Sequence, residues 1–166
     1  SLDGSQSVAW APSEIPDERY RIVPKEMPRE MIYEIIEAYS EAALRLQKAG
    51  CDGVEVLAGM GYLVAQFMNP LTNQRKDEFG GSFENRLRFL SEILIKTRAK
   101  VGGEFVIGIR VSGDELDGLG LDANDMLKIC KTIDDKQLVD YFNVIASSSA
   151  TPFGWIRVFP PMEIKP

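Results

Sequence analysis

Histidine is missing from all 166 positions. That absence removes every mechanism that turns on an imidazole, Ser-His-Asp triads and most zinc sites among them, and leaves carboxylates, Tyr, Lys and Cys for acid–base work. Basic residues are also in deficit: 19 Lys and Arg against 25 Asp and Glu give a net charge of −6, a poor match for phosphates, so no nucleic-acid partner is expected. No apolar run approaches the roughly 18 residues that suggest a membrane span. The N-terminus lacks the charged-then-apolar order of a signal peptide, so no membrane partner is expected either. Cysteine is scarce, and Cys51 and Cys130 each lie beside an apolar pattern. They read as small buried side chains rather than a disulfide framework, which makes a reducing cytoplasm the simplest home. The chain opens on Ser1 without Met, as a processed or recombinant product would.

What is present is ordinary for a globular chain: 45% hydrophobic and 27% charged residues support one sizeable core, hence one domain or part of one. Residues 1–27 carry Pro12, Pro16 and Pro24 without a sustained period and read as an extended loop region with room for a short strand pair. From Pro28 the apolar positions Ile32, Ile35, Ile36, Tyr39, Ala42, Ala43 and Leu46 recur at helical spacing, with Pro28 suited to the first turn and Gly50 to the stop. Asp52 to Leu57 then reads as a buried strand broken by Gly59 and Gly61. A long polar loop, Asn69 to Gly81, leads to Ser82, a good N-cap for a helix carrying Phe83, Leu87, Leu90, Leu94, Thr97 and Val101 and ended by Gly102 and Gly103. Phe105 to Val111 is a second strand, Asp122 caps a helix bearing Met126, Ile129, Cys130 and Ile133, and Tyr141 to Ala146 is a third strand.

Strands alternating with helices imply parallel pairing through right-handed crossovers, which a doubly wound sheet and a (β/α)₈ barrel both satisfy. No glycine-rich phosphate loop follows any strand, and polar residues gather past the strands' C-terminal ends, which favours the barrel. A whole barrel takes roughly 250 residues. The expected fold class is therefore α/β, a partial TIM (β/α)₈ barrel of about three parallel strands with flanking helices.

Side chains alternate along strands, so Glu55 and Leu57 share one face, as do Gly108 and Arg110 on the next strand. If both faces point inward, Glu55 and Arg110 are neighbouring interior charges. They are then either a structural ion pair or a means of presenting Arg110 to something electron-rich. Tyr62, just past Gly59 and Gly61, stands at the strand's rim, placed to donate a proton or to cap a loop. Asn143 has an interior-facing option on the third strand, and Ser147 to Ser149 read as turn residues. Glu84 and Arg88, four apart on a helix, read as a surface pair.

The run from Ala49 to Val56, then Gly61-Tyr62-Leu63, Gln66-Phe67, Asn69 to Arg75, Asp77 to Phe89 and Ile107 to Ser112 closely resembles the old yellow enzyme family of FMN-dependent NADH:flavin oxidoreductases. Ser112 to Leu116, Asp140 to Val144 and Phe159 to Met162 resemble the branch holding 2,4-dienoyl-CoA reductase, 2-enoate reductase and trimethylamine-dehydrogenase-like demethylases. The resemblance implies an oxidoreductase using FMN, with NAD(P)H as reductant, on a small-molecule substrate: an enoate, an enoyl thioester or an N-methylated amine. It implies Tyr62 as the catalytic proton donor and Arg110 as the cation against the flavin pyrimidine. With Arg110, it implies Leu57 and Met60 as cofactor-binding positions: they fall where many members carry the polar pair that binds substrate and flavin, and both are apolar here.

By the same resemblance, residues 1–166 are one segment of an FMN-binding barrel domain, with 28–166 forming its β/α repeats. Three strands would precede the segment, and two strands with the flavin phosphate site would follow. The isolated chain is then expected to be inactive, to hold FMN weakly or not at all, and to self-associate through open barrel edges. The rival expectation is a non-catalytic partial-barrel scaffold or assembly module without bound flavin, which the loss of the polar pair would permit.

Overall fold

The computed structural model describes residues 8–16, 22–115 and 120–146. Two strands of two residues, β1 (Trp10–Ala11) and β2 (Lys25–Glu26), pair in parallel at the N-terminal side. They are the short pair for which the proline-rich region left room. The helix α1 (Arg29–Lys48) follows, then β3 (Gly53–Leu57), α2 (Leu63–Met68), α3 (Phe83–Val101), β4 (Val106–Ser112), α4 (Ala123–Asp134) and β5 (Tyr141–Ile145). The three longer strands form one parallel sheet in the order β3-β4-β5.

Local sequence explains most of these boundaries. Pro28 is the N-cap of α1 rather than a residue of its first turn. Gly50, at φ 88°, closes the helix, with Gly50 N–H on the Gln47 carbonyl and Cys51 N–H on that of Leu46, the paired bonds of a Schellman stop. Ser82 accepts the Asn85 N–H at 3.2 Å. Asp122 and Asp125 form a reciprocal capping box on α4.

The core lies between the helices and one face of the sheet. Ile32, Ile36, Leu87, Phe89, Leu90, Ile93 and Leu94 pack with Val56, Ile107, Ile109 and Val111, all buried. Each fully buried Leu or Ile contributes about 1.5–3 kcal/mol relative to exposure. Phe67 of α2 stacks on Phe89 with centroids 4.2 Å apart and meets Phe79 edge-on at 6.3 Å. Helix α2 interrupts the simple alternation expected of the chain: six residues are too few to show a period, and its place is set by what Phe67 packs against.

Several expectations need correction. Neither cysteine is fully buried: Cys51 is exposed in the turn after α1 and Cys130 is half-buried, and both are free thiols. Turn geometry places Cys51 outside the apolar stripe. Glu84 and Arg88 do not pair. Arg88 instead donates to the Glu78 carbonyl at 2.8 Å and approaches Glu92 at 3.9 Å, while Glu84 stays at the start of α3, where its own N–H and then Ser82 hold its carboxyl below the usual range. On α1 the expected stripe is wider than the covered one: Ile32, Ile36 and Ala43 are buried, but Leu46 is 44% exposed. Tyr39, Ala42, Leu46 and Val54 line an open groove of about 340 Å³ between α1 and β3.

The opposite face of the sheet carries Glu55, Leu57, Arg110, Tyr141 and Asn143, and helices α1 and α3 do not cover it. A second helix layer, as in a doubly wound sheet, would require that face to be apolar. The polar face and the single helical layer are those of a barrel arc. Ser147 to Ser149, Leu116 and Phe159 to Met162 lie outside the described residues.

Candidate functional site

Strand register assembles the open face. Glu55 lies opposite Gly108, and Leu57 opposite Arg110. Gly108 in turn lies opposite Tyr141, and Arg110 opposite Asn143. The Glu55 carboxylate sits at the centre. Its Oε1 lies 2.8 Å from Arg110 Nε, while Oε2 accepts the Tyr141 hydroxyl at 3.1 Å and the Asn143 amide at 2.9 Å. The Arg110 contact is an ion pair by distance, but the Nε–H is buried and not aimed along a hydrogen bond. Among the described residues the outer guanidinium nitrogens make no hydrogen bond, and the side chain is 42% exposed.

Tyr141 is part of this site, and the sequence reading passed over it. A Cβ at Gly108 would lie 2.1 Å from the Tyr141 ring carbon Cζ, so only glycine leaves room for the ring there. Burial, then the bond to Glu55, push the Tyr141 phenol up, which keeps it a neutral donor. The signal was available: alternation places Tyr141 on the same face as Asn143. What it could not provide was the cross-strand partner, Gly108.

The strand ends form the rim. Ala58 N–H continues the pairing to the Arg110 carbonyl at 2.8 Å. Gly59 allows the next residues to pass β4 closely, since a Cβ there would lie 2.7 Å from Ser112 N. Met60 follows in the left-handed region at φ 61°, a conformation that costs a non-glycine residue about 1–2 kcal/mol. Its N–H donates to Ser112 Oγ at 2.9 Å. Leu57, Met60 and Arg110 are thereby gathered at one end of the β3-β4 pair. Tyr62 is set apart, at the N-cap of α2, and is 46% exposed.

The polar loop after α2 does a different job. Asn73 donates to the Phe67 and Phe79 carbonyls at 2.6 and 2.7 Å. Arg75, buried, donates to Asp77 and to the Pro12 and Met27 carbonyls, tying the N-terminal strands to the loop. Burial opposes the Asp77 charge, but the Arg75 and Phe79 bonds outweigh it and hold the carboxyl below its usual range. At the far end of the sheet Asp140 accepts the Ile107 N–H and Arg98, each at 2.7 Å; the Ile107 bond is the main reason its carboxyl is low. These residues fasten the frame around the open face.

A model of the NADH:flavin oxidoreductase / NADH oxidase family matches residues 2–152. The chain belongs to that family. It is 38% identical over 156 residues to N,N-dimethylglycine/sarcosine dehydrogenase of Chromohalobacter salexigens, a match covering 94% of this chain and 22% of the relative. It is 38% identical over 164 residues to NADPH dehydrogenase of Clostridium acetobutylicum, covering 98% of this chain and 47% of the relative. Among solved structures, 2-naphthoyl-CoA reductase in complex with 2-naphthoyl-CoA superposes with a TM-score of 0.81 at 33% identity, over 88% of this chain and 24% of that one. The chain thus spans less than half the length of these relatives. The resemblance read from the sequence and the partial-barrel fold are both borne out. Among the described residues no helix is long and apolar enough to cross a membrane.

Proposed function

We propose that this chain forms one wall of the FMN site in an NAD(P)H:flavin oxidoreductase, as a segment of one barrel domain across residues 1–166. The observation that carries this reading is Arg110: it is gripped near Nε by Glu55, yet among the described residues its outer nitrogens are unbonded, and its side chain is 42% exposed. A fork held from one side with donors to spare fits the electron-rich pyrimidine edge of a flavin. FMN, when bound, supplies hydride acceptance from NAD(P)H and hydride delivery to a substrate.

The chain's own residues bind, orient and protonate. Arg110 supplies a fixed positive charge. Tyr62, its backbone set by an N–H on the Gly59 carbonyl at 3.3 Å and a carbonyl accepting Gln66 N–H at 2.9 Å, offers its exposed hydroxyl as proton donor to the substrate. Leu57 and Met60 give the substrate side an apolar lining suited to an enoyl thioester, an enoate or an N-methylated amine. Support comes from the relatives' names, one a dimethylglycine/sarcosine dehydrogenase and one a naphthoyl-CoA reductase.

Tyr62→Phe in the intact flavoprotein tests the assignment. Stopped-flow reduction of the flavin by NAD(P)H is expected to be unchanged, while reduction of an unsaturated thioester slows by roughly 10²–10⁴-fold, the usual worth of a general acid. Unaltered turnover would remove Tyr62 from the chemistry. The polypeptide of residues 1–166 alone is expected to purify colourless; stoichiometric flavin absorbance would overturn that.

A further inference from the structure

Among the described residues Glu55 is the only carboxylate on the strands' open face, and both its oxygens are engaged: Oε1 by Arg110, Oε2 by Tyr141 and Asn143. By register it lies one inward-facing position deeper than Arg110, level with Gly108. The glycine exists for this network, since any Cβ there would displace the Tyr141 ring that reaches Glu55. A strand-to-strand tie needs no net charge: the oxygen of a neutral amide at this position could still accept from Tyr141 and Asn143. What the carboxylate adds is a unit negative charge beside the guanidinium.

We infer that Glu55 is a positioning residue and counter-ion that holds Arg110 and limits the positive potential it presents to the flavin, and so sets the flavin's reduction potential. The inference rests on the reading of Arg110 given above. Two-electron reduction places negative charge on the flavin's pyrimidine side, so a stronger local cation favours the reduced form and a weaker one disfavours it. Glu55 tempers that cation. Tyr141 and Asn143 keep the carboxylate where it does so.

The experiment is spectroelectrochemical titration of bound FMN in the intact flavoprotein, with thermal unfolding of each variant alongside. Glu55→Gln, close in shape, is expected to raise the midpoint potential, and Arg110→Ala to lower it. A potential in Glu55→Gln that is unchanged or lowered overturns the inference, whatever happens to stability. An unchanged potential in Arg110→Ala overturns instead the assignment of Arg110 itself. Should Glu55→Gln lose its flavin, Asn143→Asp reads the same idea with opposite sign: added negative charge beside Glu55 must lower the potential, and a wild-type value there sinks it.

Discussion

Two arginines in this chain, Arg75 and Arg110, look alike in the sequence and do opposite things. Arg75 has 3% of its side chain exposed, and all three of its nitrogens are committed, to Asp77 and to two backbone carbonyls from the N-terminal segment. Gly80 passes so close that a Cβ would lie 2.4 Å from the Arg75 carbonyl oxygen. Arg110 has one acidic neighbour, 42% exposure and outer nitrogens without partners among the described residues. A buried guanidinium with every donor satisfied is a fastening. One that keeps donors unspent on an open polar face is available to a ligand.

The difference predicts unequal responses to substitution. Arg75→Met is expected to have the largest effect on stability, about 3–5 kcal/mol, since it strands Asp77 and removes the donors of two carbonyls; urea unfolding measures it, and a loss below about 1 kcal/mol would break the contrast. Gly108→Ala should cost about 1–3 kcal/mol by overpacking against Tyr141, with a change in tyrosine near-ultraviolet dichroism as the ring leaves Glu55. An unperturbed signal would show that the ring has another seat. Arg110→Ala is expected to cost about 1 kcal/mol or less, because the pair it breaks is partly solvated. A loss as large as that of Arg75→Met would make Arg110 a second fastening.

The smallest effect belongs to charges on the outer shell. Lys100 and Lys96 bond Glu37 across α1 and α3, the latter at 2.8 Å. First Lys100 and then Lys96 lower the Glu37 carboxyl from 4.5 to about 2. A depressed folded-state value means the contribution is whole above the unfolded value of 4.5 and is lost as pH falls through about 2. The difference in Tm between the parent chain and Glu37→Gln should therefore shrink as pH drops across that window, and shrink again in salt. A gap that persists at low pH would assign the effect to something other than the charge.

Much of the frame was legible because its determinants are local. The periods of α1, α3 and α4, the caps Ser82 and Asp122, and the stops at Gly50 and Gly102 all act within a turn or two of chain. The juxtaposition of Glu55 and Arg110 was legible too, since alternation and parallel pairing suffice to predict it. Helix α2 was not, because its six residues are held by Phe67 meeting Phe79 and Phe89 from distant positions. Tyr141 was missed for the same reason: its role depends on Gly108, its cross-strand neighbour. Polar loop residues such as Asn73 and Arg75 carry strong family likeness, yet their partners here are backbone carbonyls and Asp77.

The sequence by itself determined the order of elements, the parallel sheet, the placement of Glu55 and Arg110 on one face of it and, through its family likeness, the class of chemistry. Tertiary structure alone decided which charges are spent and which are kept. Periodicity and capping are set by near neighbours, whereas the satisfaction of a guanidinium or carboxylate depends on donors and acceptors brought in from strands and loops far along the chain. Only the folded sheet shows Glu55 with both oxygens taken, and Arg110 with its outer nitrogens unbonded among the described residues.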